Sequence, residues 1–198
     1  FVSSLVVGTS GRNPITFDNW NNSKILAYWK YDDATKPGKD SHSWLGRLNN
    51  IRTALQGQQG DRRLRLGIAG GEWKKMMADA TARTRFASEV KKIIEQYDFD
   101  GVDFDFEWPA NASEYNNYSA TVIQMRSTLG KYVYFTASLH PVSFKISPEA
   151  IDALDFISYQ CYGPAVMRFP YEQFVKDGEA AVAYGIPKNK LVMGVPFY

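Results

Sequence analysis

A single cysteine, Cys161, in 198 residues excludes an internal disulfide framework and any cysteine-built zinc site. With no base partner identifiable beside it, Cys161 reads as a small buried hydrophobe. No stretch of about 18 apolar residues offers a membrane-spanning helix, and no charged-then-apolar signal segment opens the chain. Charge of one sign is also lacking. The 23 basic and 21 acidic residues leave a formal net charge of +2, too weak a field to gather nucleic acid or an anionic membrane. No G-x-G-x-x-G follows a first strand, and Gly70-Gly71 lacks the lysine of a phosphate loop, which argues against nucleotide binding. The two histidines, His42 and His140, stand far apart with no ligand pattern. Large neutral partners fit best, and no metal or cofactor is expected. No low-complexity linker divides the chain, so residues 1–198 read as a single domain whose 44% hydrophobic content can fill a core.

What the chain does have is an unusual run of acids. The stretch YDFDGVDFDFEWP, Tyr97 to Pro109, places five carboxylates among apolar and aromatic residues. On a strand, residues two apart share a face. Val102, Phe104 and Phe106 therefore point one way, and Asp103, Asp105 and Glu107 the other. Neighbouring carboxylates resist ionising together, so such a row beside large apolar groups is a candidate site. A solvated face or a carboxylate metal site gives the same alternation and stays open on pattern alone.

Apolar strand-like runs alternate with helical stripes along the chain, the mark of βα units and a parallel sheet. Strands are expected at Ile25–Tyr31, Leu64–Ile68, Val102–Glu107, Tyr132–Leu139, Phe156–Cys161 and Leu191–Phe197, with a weaker one at Ser4–Gly8. Phe86, Val90, Ile93 and Tyr97 mark one helix. Tyr115, Tyr118, Val122, Met125 and Leu129 mark another, stopped by Gly130. Ser147 with Pro148 reads as an N-cap and first helical residue, opening a short helix to Leu154. A further helix should run from about Tyr171 to Tyr184 and stop at Gly185. Open doubly wound sheets and closed (β/α)8 barrels both use such units. An open sheet covered on both faces has no room for three acids along half a strand, whereas a barrel holds them near its C-terminal mouth. The predicted fold is therefore an α/β (β/α)8 TIM barrel.

The octet DGVDFDFE, Asp100 to Glu107, resembles the D-x-x-D-x-D-x-E signature of glycoside hydrolase family 18, the chitinases and endo-β-N-acetylglucosaminidases. The resemblance extends through ILAYWKYDD, LRLGIAGGEW, YFTASLHP, DFISYQCYGP and LVMGVPFY, which look like the second, third, fifth, sixth and seventh strands of that family. It implies that Glu107 is the general acid, that Asp105 orients the substrate's 2-acetamido group, and that Asp103 shares a proton with Asp105. Tyr162 would hydrogen-bond the acetamido oxygen as that oxygen attacks the anomeric carbon. Asp100, out of parity with the others, looks structural, as do Gly70 and Gly71. This also removes a difficulty, because ordinary glycosidases need two carboxyl groups flanking the sugar, whereas family 18 takes its nucleophile from the substrate.

Departures from the family pattern concern particular positions. Gln160, sharing a face with Tyr162, could donate to the acetamido or a hydroxyl group, or be satisfied by backbone. Trp108 keeps an aromatic plane after the glutamate and is a candidate sugar contact. Ile68 stands where a serine often supports the acid row. Such barrels usually take about 250 residues, and Tyr198 falls inside the seventh strand, so the chain is expected to be a fragment lacking the eighth. The partner implied is chitin or an N-acetylglucosamine oligosaccharide, met by a secreted monomer. An endoglycosidase of N-glycan cores and a non-hydrolytic chitin-binding lectin are the alternatives, and Glu107 argues against the lectin.

Overall fold

The computed structural model describes residues 4–6, 51–56, 63–69, 73–162 and 171–195. The strands are β1 (Ser4–Val6), β2 (Arg65–Ala69), β3 (Gly101–Asp105), β4 (Tyr134–Leu139), β5 (Phe156–Gln160) and β6 (Leu191–Gly194). The helices are α1 (Trp73–Ala78), α2 (Ala80–Tyr97), α3 (Ala112–Leu129), α4 (Pro148–Ala153) and α5 (Tyr171–Tyr184); residues 51–56 are also helical. The expected strand Ile25–Tyr31 and the pair Gly70 and Gly71 lie outside the described residues.

All neighbouring strands pair in parallel, and the sheet order is β1-β2-β3-β4-β5-β6, the order of the chain itself. A doubly wound sheet reverses its order at a switch point. Here the order never reverses, which is the winding of a (β/α)8 barrel.

Local chemistry accounts for the helix ends. Asp79 caps α2 by accepting from Ala82 N at 2.7 Å, and Asn111 caps α3 by accepting from Glu114 N at 3.0 Å. Ser147 accepts from Ala150 N at 3.2 Å ahead of Pro148, as its sequence position predicts. Gly130 and Gly185 follow α3 and α5 with φ of 80° and 121°, the positive range that glycine tolerates.

The core lies between the sheet and its helices. Leu66, Ile68, Val102, Phe104, Phe135, Ala137, Ile157 and Tyr159 face outward from the sheet and are fully buried in one core shared with the helices. Phe104 packs at 4.8 Å from Phe135 and 5.2 Å from Phe106 between ring centroids, both edge to face. Cys161 is buried, as composition suggested.

Strand limits depart from the sequence reading for one physical reason. Alternation reports which side chains are buried, whereas a strand is defined by backbone pairing. Phe106 continues the buried alternation of β3 and packs beside Trp73 and Phe86, but the ladder ends at Asp105, so Glu107 lies two residues beyond the strand. Tyr132 is 87% exposed in a turn before β4, and β5 and β6 stop at Gln160 and Gly194. Helix α1 was not foreseen, because six residues are too short for a periodic signal.

Gly101 holds β3 against β4. A Cβ built there would lie 2.1 Å from the Tyr134 carbonyl oxygen, a backbone atom that cannot swing away. Gly101→Ala should destabilise the fold by about 3 kcal/mol, the upper part of the usual overpacking range. Chemical denaturation of the variant against the parent measures this directly.

Candidate active site

Backbone parity brings the acids to the inner face of the sheet. Asp103 is paired in register with Gly67 on β2 and Thr136 on β4, so all three share one interior level. Ile68 pairs with Phe104 and points to the helix layer. The expectation that Ile68 occupies the supporting position beside the acid row is therefore corrected by one residue: Gly67 faces Asp103, and it has no side chain. Support comes instead from β4 and from lower on β2. Thr136 Oγ1 donates to Asp103 Oδ1, Ser138 Oγ donates to Asp103 Oδ2 at 3.0 Å, and Arg65 Nη1 lies 3.3 Å from Oδ1 while also donating to Thr136.

The row climbs from dry to wet. Asp103 is fully buried, Asp105 half-buried and Glu107 exposed at the C-terminal end of β3. Burial raises the Asp103 carboxyl above its ordinary value despite the hydroxyl and guanidinium donors that oppose it. Asp105 is also raised by burial, partly offset by Gln160, whose Nε2 donates to Asp105 Oδ1 at 3.2 Å. Gln160 thus serves the acid row itself, a third option beside the sugar-donor and backbone-satisfied roles expected of it. Desolvation and the charge of Asp105 raise Glu107, against smaller lowering effects from His140 and Gln160.

The Glu107 loop is tied down from two other elements. Ser143 Oγ donates to the Pro109 carbonyl and accepts from Tyr115 of α3 at 3.1 Å. Glu114 accepts from Ala110 N and from Lys74, both at 2.8 Å, which holds its carboxyl below the usual range. Trp108, after a cis Glu107–Trp108 peptide, lies tilted over His140 with ring centroids 4.7 Å apart. Its Nε1–H is buried without an acceptor among the described residues.

His140 was assigned no role from sequence, yet it sits at the mouth. Val142 N lies 3.2 Å from its Nδ1, and its Nε2 lies 3.2 Å from the Tyr162 carbonyl oxygen. The imidazole therefore ties the end of β4 to Tyr162 after β5. Only its place at the end of β4 could have signalled this.

A cleft of about 410 Å³ opens over the row, lined by Asp105, Ser138, Ser158, Gln160, Tyr162 and Gly194. Gly194 makes room for Tyr162, since a Cβ there would approach the ring edge to 3.3 Å. A larger groove of about 580 Å³ lies between α5 and β6, lined mostly by apolar side chains such as Phe174, Val182, Leu191 and Met193. Its charged lining is limited to Glu179 and Lys188 and includes none of the acid row, whereas the smaller cleft holds Asp105, Gln160 and Tyr162 together, so the chemistry belongs to the smaller cleft. Among the sequence-predicted residues, Asp103, Asp105, Glu107, Gln160 and Tyr162 gather at the ends of β3 and β5, with Trp108 beside them. Asp100 sits below, accepting from Leu64 N at 2.6 Å at the entrance of β3.

The profile of Glycosyl hydrolases family 18 matches residues 10–198. The Class V chitinase of Arabidopsis thaliana is 25% identical over 166 residues, covering 67% of this chain and 44% of that protein. The Endochitinase of Manduca sexta is 28% identical over 171 residues, covering 66% and 31% respectively. This chain thus spans less than half the length of either relative. Among solved structures, the chitinase domain of the spore coat protein CotE from Clostridium difficile superposes with a TM-score of 0.62 at 20% identity, over 77% of this chain and 54% of that one. A class V chitinase from Nicotiana tobaccum in complex with NAG4 gives 0.60 at 18% identity, over 82% and 54%. These likenesses share the barrel fold.

Proposed function

This chain belongs to glycosyl hydrolases family 18, and we propose that it is a chitinase-like enzyme cleaving β-1,4-linked N-acetylglucosamine polymers with retention, using the substrate's acetamido group as nucleophile. The observation that carries this reading is the graded acid row. One carboxyl, Glu107, stands at the wet end with its proton held more tightly than usual, and the remaining acids lie behind it on the same strand.

In this reading Glu107 protonates the glycosidic oxygen and the bond to the anomeric carbon breaks. The acetamido carbonyl oxygen attacks that carbon from the opposite face, forming a cyclic oxazolinium cation. Asp105 accepts the acetamido N–H and stabilises the positive charge, while Tyr162 donates to the acetamido oxygen. Water then attacks the anomeric carbon, gives its proton to Glu107 and opens the ring with net retention. Retaining enzymes with a protein nucleophile place two carboxyl groups about 5 Å apart on either side of the sugar. Acids along one strand suit a single-acid mechanism better.

The Trp108 N–H, without an acceptor among the described residues, is assigned to a hydrogen bond with a bound sugar oxygen. Gln160 is assigned to holding Asp105. Chitin or its oligosaccharides are the proposed substrate, and a polymer of that size calls for an extracytoplasmic enzyme. Hydrolysis of a chitotriose reporter by the full-length protein, with the anomer of the new reducing end read by NMR, tests the proposal. Initial release of the β-anomer is expected; the α-anomer or no cleavage would sink it.

A further inference from the structure

Arg65 belongs to no part of the acid motif, and it stands 35 positions before Asp100 in the sequence. It nevertheless lies on the inner face of the sheet at the foot of the acid row. Its Cζ sits 4.7 Å from the centroid of the Phe156 ring, while Nη1 reaches both Thr136 and Asp103. Thr136 is in register with Phe156 on one side and Asp103 on the other, so the guanidinium rests against a level built by three strands. Gly67, in register with Asp103, contributes no side chain to block it.

We infer that Arg65 is a positioning residue that fixes Asp103 as the anion at the base of the row, so that the mobile proton resides on the Asp105 and Glu107 side. This inference rests on the proposed reaction for its consequence but not for its geometry.

Asp103 is fully buried, and among the described residues its immediate donors other than Arg65 are the neutral hydroxyls of Thr136 and Ser138. Among the described residues, the other titratable groups coupled to it by charge are Asp105 on its own strand and, from the helix layer, the Tyr118 phenol, kept protonated by burial first and by the two aspartates. A hydroxyl can donate to either form of the carboxyl, whereas a guanidinium favours only the ionised one. Among the described residues, Arg65 is therefore the group that separates the two states. With Asp103 anionic, both of its oxygens are occupied and it has no proton to share; its charge repels a second anion at Asp105 and favours a proton higher in the row.

The test compares the full-length parent with Arg65→Met, which retains the stem over Phe156, Arg65→Gln, which retains donors without charge, and Arg65→Lys, which retains charge. The direct readout is the carboxyl carbon of Asp103, followed by NMR in aspartate-labelled protein as pH is varied. Loss of the charge should raise the Asp103 midpoint by about one pH unit, the lower end of the effect of a close opposite charge. Met and Gln should behave alike, and Lys should restore most of the parent value. The acidic limb of kcat/KM on the chitotriose reporter should move upward with the midpoint.

An unchanged Asp103 midpoint in folded Arg65→Gln or Arg65→Met protein would overturn the inference, since a merely structural arginine would lower thermal stability and leave the titration in place. If the parent does not cleave the reporter, the proposed function fails, while the carboxyl titration still decides the role of Arg65.

Discussion

Glu107→Gln is expected to lose at least about a hundredfold in turnover of a chitin oligosaccharide, the lower range for removal of a general acid, while oligosaccharide binding persists. Glutamine keeps the shape and a hydrogen-bond donor but has no proton to transfer. The structure also separates this loss from misfolding. Glu107 holds its proton more tightly in the folded chain than an unperturbed glutamate does, through desolvation first and the Asp105 charge second. Its contribution to stability is therefore present at low pH and lost as pH rises through the folded value. A glutamine cannot ionise, so the variant should unfold at the parental temperature or slightly above it at neutral pH. Parallel measurement of turnover, calorimetric binding and thermal midpoint checks all three. Near-parental turnover would remove Glu107 from the reaction; lost binding with a lowered midpoint would assign it to the architecture.

Asp105→Asn should be the second severe variant, losing about a hundredfold or more, because in the proposed reaction the oxazolinium cation would then form without its counter-charge. It carries a further signature. Asp105 raises the Glu107 carboxyl by repulsion, so its neutralisation should let Glu107 ionise at lower pH. The alkaline limb of the kcat/KM profile should accordingly shift to lower pH, opposite in direction to the acidic-limb shift expected on losing Arg65. A residual rate whose alkaline limb stays at the parental position would show that Asp105 acts only on the substrate. A changed Gln160 environment is also expected, since its amide donates to Asp105 in the parent.

Several parts of this site were legible before any coordinates. The alternation of Val102, Phe104 and Phe106 with Asp103, Asp105 and Glu107 reports a physical fact about extended backbone, and the register places Asp103 and Asp105 on one face while Phe106 stays buried beyond the ladder. Ser147 with Pro148, Gly130 and Gly185 were equally readable, because caps and positive φ depend on the local chain alone. The partners of the acids were not. Arg65, Thr136, Ser138 and Gln160 reach the row from β2, β4 and β5, and no local pattern states the register that aligns Asp103 with Gly67 and Thr136. The placement of Ile68 went astray for the same reason, since a one-residue slip in register moves a side chain to the other face. His140 received no role because its hydrogen bond to the Tyr162 carbonyl and its contact with Trp108 join segments that no local pattern brings together.

By itself the sequence determined the family, the winding of βα units and the line of carboxylates, since periodicity and a dense motif survive without knowledge of neighbours. Only the tertiary structure decided which acid is dry, which is wet and which cation stands beneath them. Those properties arise from burial and from distances between strands far apart in the chain, and a carboxyl's affinity for its proton is set by such surroundings more than by its own identity.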